Sequence, residues 1–256
     1  MSALNTRTEL PQAELPRTEL PQAELPQAEL PQAELPQAEL PQAELPQAEL
    51  PQAELPQLIL ASASPRRKAI LDQLHIRCDV YRKTISEATH GIPIITAEKN
   101  ACRKLKQCIL SNKNISGCHV VMIAADTIVV QKGRIFNKPR TRAELITMLH
   151  ALSGTRHIVI TAVAVVEIGM DGKASDIIVD AEKTVVWFRQ INDTLREKYC
   201  SLSAPFDKAG GYGIQDEGAV LVRKIHGCYY NVIGLPISLL DSLLQRRGYT
   251  LTDFMV

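Results

Sequence analysis

The chain has 256 residues, 45% of them hydrophobic, which suits one large or two small domains with a sizeable core. An aromatic content of 4% argues against a single-strand nucleic-acid binder, which needs aromatic stacking platforms. The formal charge of +1 hides an asymmetry: residues 1–57 hold ten Glu against Arg7 and Arg17, a charge of −8, so the remainder carries +9. A basic domain concentrates anionic ligands such as nucleotides, unless the charge is only a solvated surface.

From Pro11 to Leu55 the sequence repeats P-Q-A-E-L, with one P-R-T-E-L variant at Pro16–Leu20. Ala, Glu and Leu favour helix, but a Pro every fifth residue removes a donor and clashes with the preceding turn. The Leu before each Pro is driven toward extended backbone. The period of five fits neither helix nor strand, so residues 1–57 are expected to form a disordered low-complexity tail. The competing reading of the tail is a docking arm. The second region expected is a folded domain over 58–256.

Ordered sequence is expected to begin with an apolar strand at Leu58–Ala61. Ser64-Pro65 reads as an N-cap and first helical residue, opening a helix with Ala69, Ile70, Leu71 and Leu74 on its apolar face. A second helix is expected over Thr96–Leu110. Val120–Ala125 reads as a central strand with Asp126-Thr127 at its end. A helix over Thr141–Leu152 carries a capping box from Thr141 to Glu144. Strands follow at Ile158–Glu167 and Lys183–Phe188, a helix at Asp193–Tyr199, an alternating strand at Ala219–Ile225 and a last helix at Ile237–Gln245. This mixture means an α/β domain.

The six cysteines include no C-x-x-C pair and no His pair at zinc spacing, and a chain of this size needs no disulfide staples. Reduced thiols in a cytoplasmic protein are therefore expected. There is no basic n-region followed by an apolar h-region, and no apolar run of the ~18 residues a membrane span needs. Without a secretory route, the glycosylation patterns at Asn114-Ile115-Ser116 and Asn192-Asp193-Thr194 read as chance.

Three stretches could carry chemistry. In Ser62-Ala63-Ser64-Pro65-Arg66-Arg67 a helix N-terminus offers unpaired N–H groups, and two guanidinium forks suit phosphate oxygens. The competing reading is a pair of solvated arginines. Asp126-Thr127 at a strand end lies where open α/β sheets bind ligands, and a carboxylate there can take a proton or hold a metal. It could equally be a turn-starting Asp. Asp207-Lys208-Ala209-Gly210-Gly211-Tyr212-Gly213-Ile214-Gln215 combines glycines that let backbone approach a ligand, a Lys charge and an amide able to read a base edge. It matches neither the P-loop nor the Rossmann spacing. Singly, Glu87, Lys104 and Lys138 read as surface charges, and His157 at a strand start reads as structural.

Taken in order, S-A-S-P-R-R, A-D-T-I-V-V, N-K-P, L-S-G-T-R-H-I-V-I-T, D-K-A-G-G-Y-G-I-Q and N-V-I-G-L-P resemble the Maf family of nucleoside triphosphate pyrophosphatases over nearly all of residues 58–248. The resemblance implies an α/β fold with an elongated mixed β-sheet flanked by helices, in two lobes around a nucleotide cleft, as in inosine triphosphatase-like proteins. It implies cleavage between the α and β phosphates with a divalent metal, Mg2+ or Mn2+. Asp126 matches the proton acceptor, with Glu87 and Asp126 as metal ligands. Ser64, Arg66, Arg67, Lys104, Lys138 and Lys208 match residues around the triphosphate. Arg66, Thr127 and Gln215 fall where the pyrimidine-preferring branch has its specificity residues, and the 7-methyl-GTP branch lacks the I-Q pattern.

The sequence departs from the family where K-A is Lys104-Leu105, with Lys99 a competitor for the Lys position. It departs again at Ser86, where an acidic residue usually precedes the Glu, and in the repeat tail. The expected substrate is dTTP or UTP, with no nucleic-acid polymer or membrane as partner and a homodimer left open. Competing readings are action on 7-methyl-GTP or another non-standard nucleotide such as inosine triphosphate, and a nucleotide-binding cell-division regulator with little turnover.

Overall fold

The computed structural model describes residues 55–83, 85–111, 117–202 and 204–256. The repeat region up to Glu54, where the tail was expected, and the Asn114 pattern lie outside the described residues. Thirteen elements among the described residues position the site. They are β1 (Gln57–Ala61), α1 (Pro65–Gln73), β2 (Asp79–Tyr81), α2 (Pro93–Ser111), β3 (Val120–Gln131), β4 (Arg134–Phe136), α3 (Arg142–Leu152), β5 (Arg156–Ile168), β6 (Ile178–Phe188), α4 (Asp193–Cys200), β7 (Val222–His226), α5 (Tyr229–Ile233) and α6 (Ile237–Gln245).

The strands form one mixed sheet in the order β2-β1-β3-β5-β6-β7, with β4 also paired to β3. The β1–β2 and β1–β3 pairings are parallel and the others antiparallel. β3 is central because V-V-M-I-A-A and I-V-V can be buried on both faces. The period of two sends Val121, Ile123 and Ala125 to one face, under α1 and α6, and Val120, Met122 and Ala124 to the other, under α2. Val129 continues the first face into a further core, shared with Leu145 and Leu149 of α3 and Phe188 of β6.

The sheet has a notch. β1 pairs with β3 only as far as Leu60↔Ile123, and β4 takes up the same edge of β3 at Val129↔Phe136. Ala124–Ile128 thus have no strand partner on that edge among the described residues, while β5 pairs with the other edge throughout.

Several expected elements are corrected. Asp126 and Thr127 lie inside β3, because pairing with β5 holds the strand together to Val130↔Ile158. On α1 the buried residues are Arg67, Ile70 and Leu71, whereas Ala69 is exposed. The 3, 4 spacing from Arg67 puts this Arg on the core stripe. α2 begins at Pro93 and β6 at Ile178, each earlier than expected. Glu217–Leu221 is a 3-10 turn, so the strand expected from Ala219 starts only at Val222. Thr141 caps α3 by accepting from the Glu144 N–H at 3.1 Å, but the Glu144 carboxylate accepts from the Arg140 N–H at 2.6 Å, so the box is shifted by one residue. β2, β4 and α5 are too short to leave a periodic signal.

Candidate active site

A cleft of about 300 Å³ opens at the notch in the sheet. Ser64, Arg66, Arg67, Glu87, Lys104, Asp126, Thr127, Lys138, Lys208 and Gln215 all line it, so the fold gathers every expected site residue into one place.

At its centre, alternation along β3 turns Asp126 toward α2 and Thr127 toward α5. Asp126 is 3% exposed. Its Oδ1 accepts from Lys104 Nζ at 2.6 Å and its Oδ2 from Asn100 Nδ2 at 3.0 Å. Lys104 also pairs with Glu87 Oε1 at 2.7 Å and donates to the Ala125 carbonyl at 3.1 Å. Lys99, the competitor, is exposed on the same helix. Burial pushes the Glu87 carboxyl up, but Lys104, with Lys138 and Arg67 further off, outweighs it and holds the group below the usual carboxylate range.

On the opposite face of β3, Arg67 is 7% exposed. Its Nε donates to the Gly234 carbonyl at 2.7 Å, and its terminal nitrogens donate to Ser62 Oγ at 3.1 Å and Thr127 Oγ1 at 3.0 Å. Burial lowers the pKa of this Arg, while the Asp126 and Glu87 carboxylates act the other way. Three of its five N–H donors are engaged in these bonds, and the other two have no partner among the described residues. Thr127 Oγ1 lies 3.0 Å from Thr161 Oγ1, and Thr161 is held in turn by Asn231, at 0% exposure. The N-V-I-G-L-P segment therefore braces Arg67 from behind. Gly234 has φ +122, and a Cβ there would stand 3.1 Å from Thr127 Oγ1. The site needs a glycine at that point both for its backbone and for its space.

The third side is the glycine-rich segment. Arg66 donates to Asp207 Oδ2 at 2.7 Å, and Lys208 Nζ to Asp207 Oδ1 at 2.9 Å. Burial raises the Asp207 carboxyl, and the hydrogen bonds from Lys208 and Arg66 bring it below its ordinary value. Gly210 and Gly211 both have positive φ and let the segment pack closely: a Cβ on Gly210 would meet Val129 of β3 at 3.0 Å, and one on Gly211 would meet Leu145 Cδ1 of α3 at 2.4 Å. Gly213 instead leaves room for the Lys208 stem, whose Cε a Cβ there would meet at 2.7 Å.

Gln215 donates from Nε2 to Asp216 Oδ2 at 2.8 Å, and its Oε1 is buried without a hydrogen-bond partner among the described residues. Flipping the amide would set its oxygen against a carboxylate, so the unpaired atom is the acceptor. The cleft lining also includes the apolar side chains Val129, Val159, Val232 and Ile233 and the ring of Tyr212. Lys138 is exposed at the rim. His157 lies in the core at 1% exposure, 2.7 Å from the Tyr212 hydroxyl and edge-on to Phe188, as its structural reading expected.

Sequence reasoning missed Ser62, Asn100, Lys83 and the apolar wall. Asn100 did leave a signal. It is a polar residue on the buried stripe of α2 between Ala97, Ala101 and Leu105.

Could these residues hold a divalent metal? Glu87 and Asp126 converge on the Lys104 ammonium, so two carboxylates face one cation position. Among the described residues no group of three or more His, Cys, Asp or Glu forms a site of its own. Mg2+ is commonly held by one or two carboxylates together with substrate phosphates, so the pair fits a metal that arrives with its nucleotide.

Fold and site together define an α/β protein whose cleft combines cations, carboxylates, apolar side chains and one buried unpaired acceptor. Residues 57–247 match the family described as Maf-like protein. The dTTP/UTP pyrophosphatase of Caldicellulosiruptor saccharolyticus is 38% identical over 197 residues, covering 76% of this chain and 96% of that protein. The proteins of the same name from Thermosipho melanesiensis and Chlamydia caviae are 41% and 37% identical, over 74% and 78% of this chain and 98% of each of theirs. The chain belongs to the Maf family. Among the described residues no helix is long and apolar enough to cross a membrane.

Proposed function

We propose that this protein hydrolyses dTTP and UTP to the monophosphate and pyrophosphate. The observation that carries the reading is the make-up of the cleft. Its lining brings together Arg66, Arg67, Lys104, Lys138 and Lys208, the carboxylates Glu87 and Asp126, several apolar side chains, and Gln215 with its unpaired acceptor. A uracil or thymine ring offers an N–H between two carbonyls, and Gln215 Oε1 supplies the acceptor that this N–H needs. A base that brings no N–H to that oxygen in its bound position would leave it unpaired, which costs about 1–3 kcal/mol.

The chemistry follows from the groups present. Phosphoanhydrides resist attack because their negative charge repels nucleophiles, and the Lys and Arg side chains neutralise that charge where it develops. Asp126, held at both oxygens, orients a water toward the α phosphorus and takes its proton. Lys104 and the two free N–H donors of Arg67 stabilise the phosphoryl oxygens. Glu87 and Asp126 would hold a divalent cation with the triphosphate, and that cation would supply further polarisation of the phosphoryl oxygens.

The catalytic unit in this reading is residues 58–256. A chain shortened to begin at Leu55 is expected to keep its kcat/KM, and a large loss would show a catalytic contribution from the repeat. Reduced cysteines, all six unbonded, suit a cytoplasmic enzyme.

The test is pyrophosphate release from dTTP, UTP, dCTP, inosine triphosphate and 7-methyl-GTP, with and without Mg2+. Turnover of dTTP and UTP well above the others is expected. A preference for 7-methyl-GTP or inosine triphosphate would move the enzyme to another substrate, and nucleotide binding without pyrophosphate release would make it a binding protein.

A further inference from the structure

We propose that Asn100 is a positioning residue of the reaction, the clasp that keeps the Glu87 segment in register with Asp126. The proposal rests on the pyrophosphatase reading above. Asn100 is 1% exposed and stands one helical turn before Lys104 on α2, so both side chains leave the same face. Its Nδ2 donates to Asp126 Oδ2 at 3.0 Å and to the Ala88 carbonyl at 3.0 Å, while its Oδ1 accepts from the Ala88 N–H at 2.8 Å. The amide orientation is fixed by its neighbours. Reversed, its oxygen would face a carboxylate and a carbonyl, and its NH2 would face an N–H.

These contacts close a ring. Asn100 holds Asp126, Asp126 holds Lys104, Lys104 holds Glu87, and the peptide of Ala88, next to Glu87, returns to Asn100. Residues 85–89 form neither helix nor strand. Their polar tethers to α2 besides Asn100 and Lys104 include Arg103, which donates to the Ser86 carbonyl at 3.0 Å from an exposed position. Asn100 grips both backbone polar groups of one residue, Ala88, and it does so from the buried side. A neutral side chain is suited to this point, because a third carboxylate would repel Asp126 and Glu87, and a cation would compete with Lys104 for them.

The cations Arg66, Lys138 and Lys208 lie on other elements, and the hydrogen bonds of Asn100 run to Asp126 and Ala88, so its loss is expected to bear on the catalytic step more than on substrate capture. Asn100→Ala is expected to lower kcat for dTTP about 100-fold with KM changed by less than about threefold. The second variant, Asn100→Asp, keeps the shape and the acceptor for the Ala88 N–H but loses both donated hydrogen bonds, and kcat should fall comparably.

A double-mutant cycle with Glu87→Gln separates positioning from core filling. If Asn100 acts by placing Glu87, its replacement costs at least about tenfold less in the Glu87→Gln background than in the parent. Amide exchange over residues 85–89, read without turnover, should quicken in both Asn100 variants. A lowered Tm with kcat unchanged, additive effects in the cycle, or unaltered exchange would each overturn the proposal. Should the parent enzyme release pyrophosphate from no nucleotide, the functional reading fails, and the exchange measurement decides the clasp by itself.

Discussion

Replacing Asp126 with Asn gives the sharpest test of the mechanism, and the structure sets its size. The Asp126 oxygens accept from two different donors, Lys104 Nζ at 2.6 Å and Asn100 Nδ2 at 3.0 Å. An Asn can turn its single carbonyl toward one of them only, and its NH2 then faces the other donor. One donor left unpaired in a buried setting costs about 1–3 kcal/mol. For a folded region of about 200 residues that is roughly 2–12 °C in Tm. Against a total stability of about 5–15 kcal/mol the variant stays folded at 25 °C. Loss of the general base should lower kcat by about 10²–10⁴, or roughly 3–5 kcal/mol of activation free energy, far more than the unfolded fraction can account for. KM should hold, because the phosphate-binding cations remain. The assay is pyrophosphate release at saturating dTTP and Mg2+, alongside a thermal melt. A variant with the expected fall in Tm but kcat within about tenfold of the parent would remove Asp126 from proton transfer.

Three further outcomes are expected. Gln215→Ala should reduce kcat/KM for dTTP and UTP by about 1–3 kcal/mol while sparing 7-methyl-GTP, and an equal loss on every nucleotide would leave Gln215 with no part in base choice. Gly234→Ala should push on Thr127 Oγ1 and strain a φ of +122, lowering Tm for about 1–3 kcal/mol of stability and reducing kcat/KM through Arg67; an unchanged melt and activity would refute the brace. Burial holds the His157 imidazole down to about 3, against an ordinary value of 6.5, so between those values the unfolded chain binds a proton that the folded chain does not, and stability falls as the pH drops through that window. At pH 4.5 this amounts to roughly 2–3 kcal/mol, and His157→Gln should show a shallower fall in Tm from pH 7 to 4.5, equal slopes counting against the assignment.

The chemistry-bearing residues were legible because their neighbours in the chain are informative. Pro65 after Ser64 marks a helix start, and an apolar β-branched run marks β3, so Arg66 and Asp126 could be placed from local sequence. The length of β3 was not legible. Asp126-Thr127 looks like a strand end, and only the eleven-residue register with β5 keeps the backbone extended beyond it. The burial of Arg67 was not legible for a related reason. Its neighbour is Arg66, and a pair of Arg at a helix start reads as two exposed cations. Both line the cleft, but the helical period also puts Arg67 on the core stripe with Ile70 and Leu71. Gly210 and Gly211 look like a ligand loop, and the side chains that crowd them, Val129 at Gly210 and Leu145 at Gly211, lie far back in the chain and are invisible to any local pattern. Asn100 and the apolar wall became meaningful only when distant segments met.

The ion pairs of the cleft bear on how one site could both bind a triphosphate and let its products go. Six cations line it, Arg66, Arg67, Lys83, Lys104, Lys138 and Lys208, against the carboxylates Glu87, Asp126 and Asp207, a formal excess of three positive charges. Like charges crowded so closely repel one another, and the carboxylates oppose that repulsion. Asp207 holds Arg66 and Lys208 side by side, and Glu87 with Asp126 holds Lys104. The cations are thereby fixed in position before substrate arrives, so less side-chain freedom is lost on binding. A polyphosphate presents several anionic oxygens on one chain and can compete with the carboxylates for all of these cations together. Hydrolysis divides that charge between two molecules that dissociate independently, and the advantage of a single linked ligand disappears. Asp207, Glu87 and Asp126 then recover their partners, which favours release. Neutralising Asp207, as Asp207→Asn, removes one competitor and should tighten product binding more than it tightens dTTP; product inhibition measured with monophosphate and pyrophosphate would detect it, and unchanged inhibition constants would show that Asp207 takes no part in release.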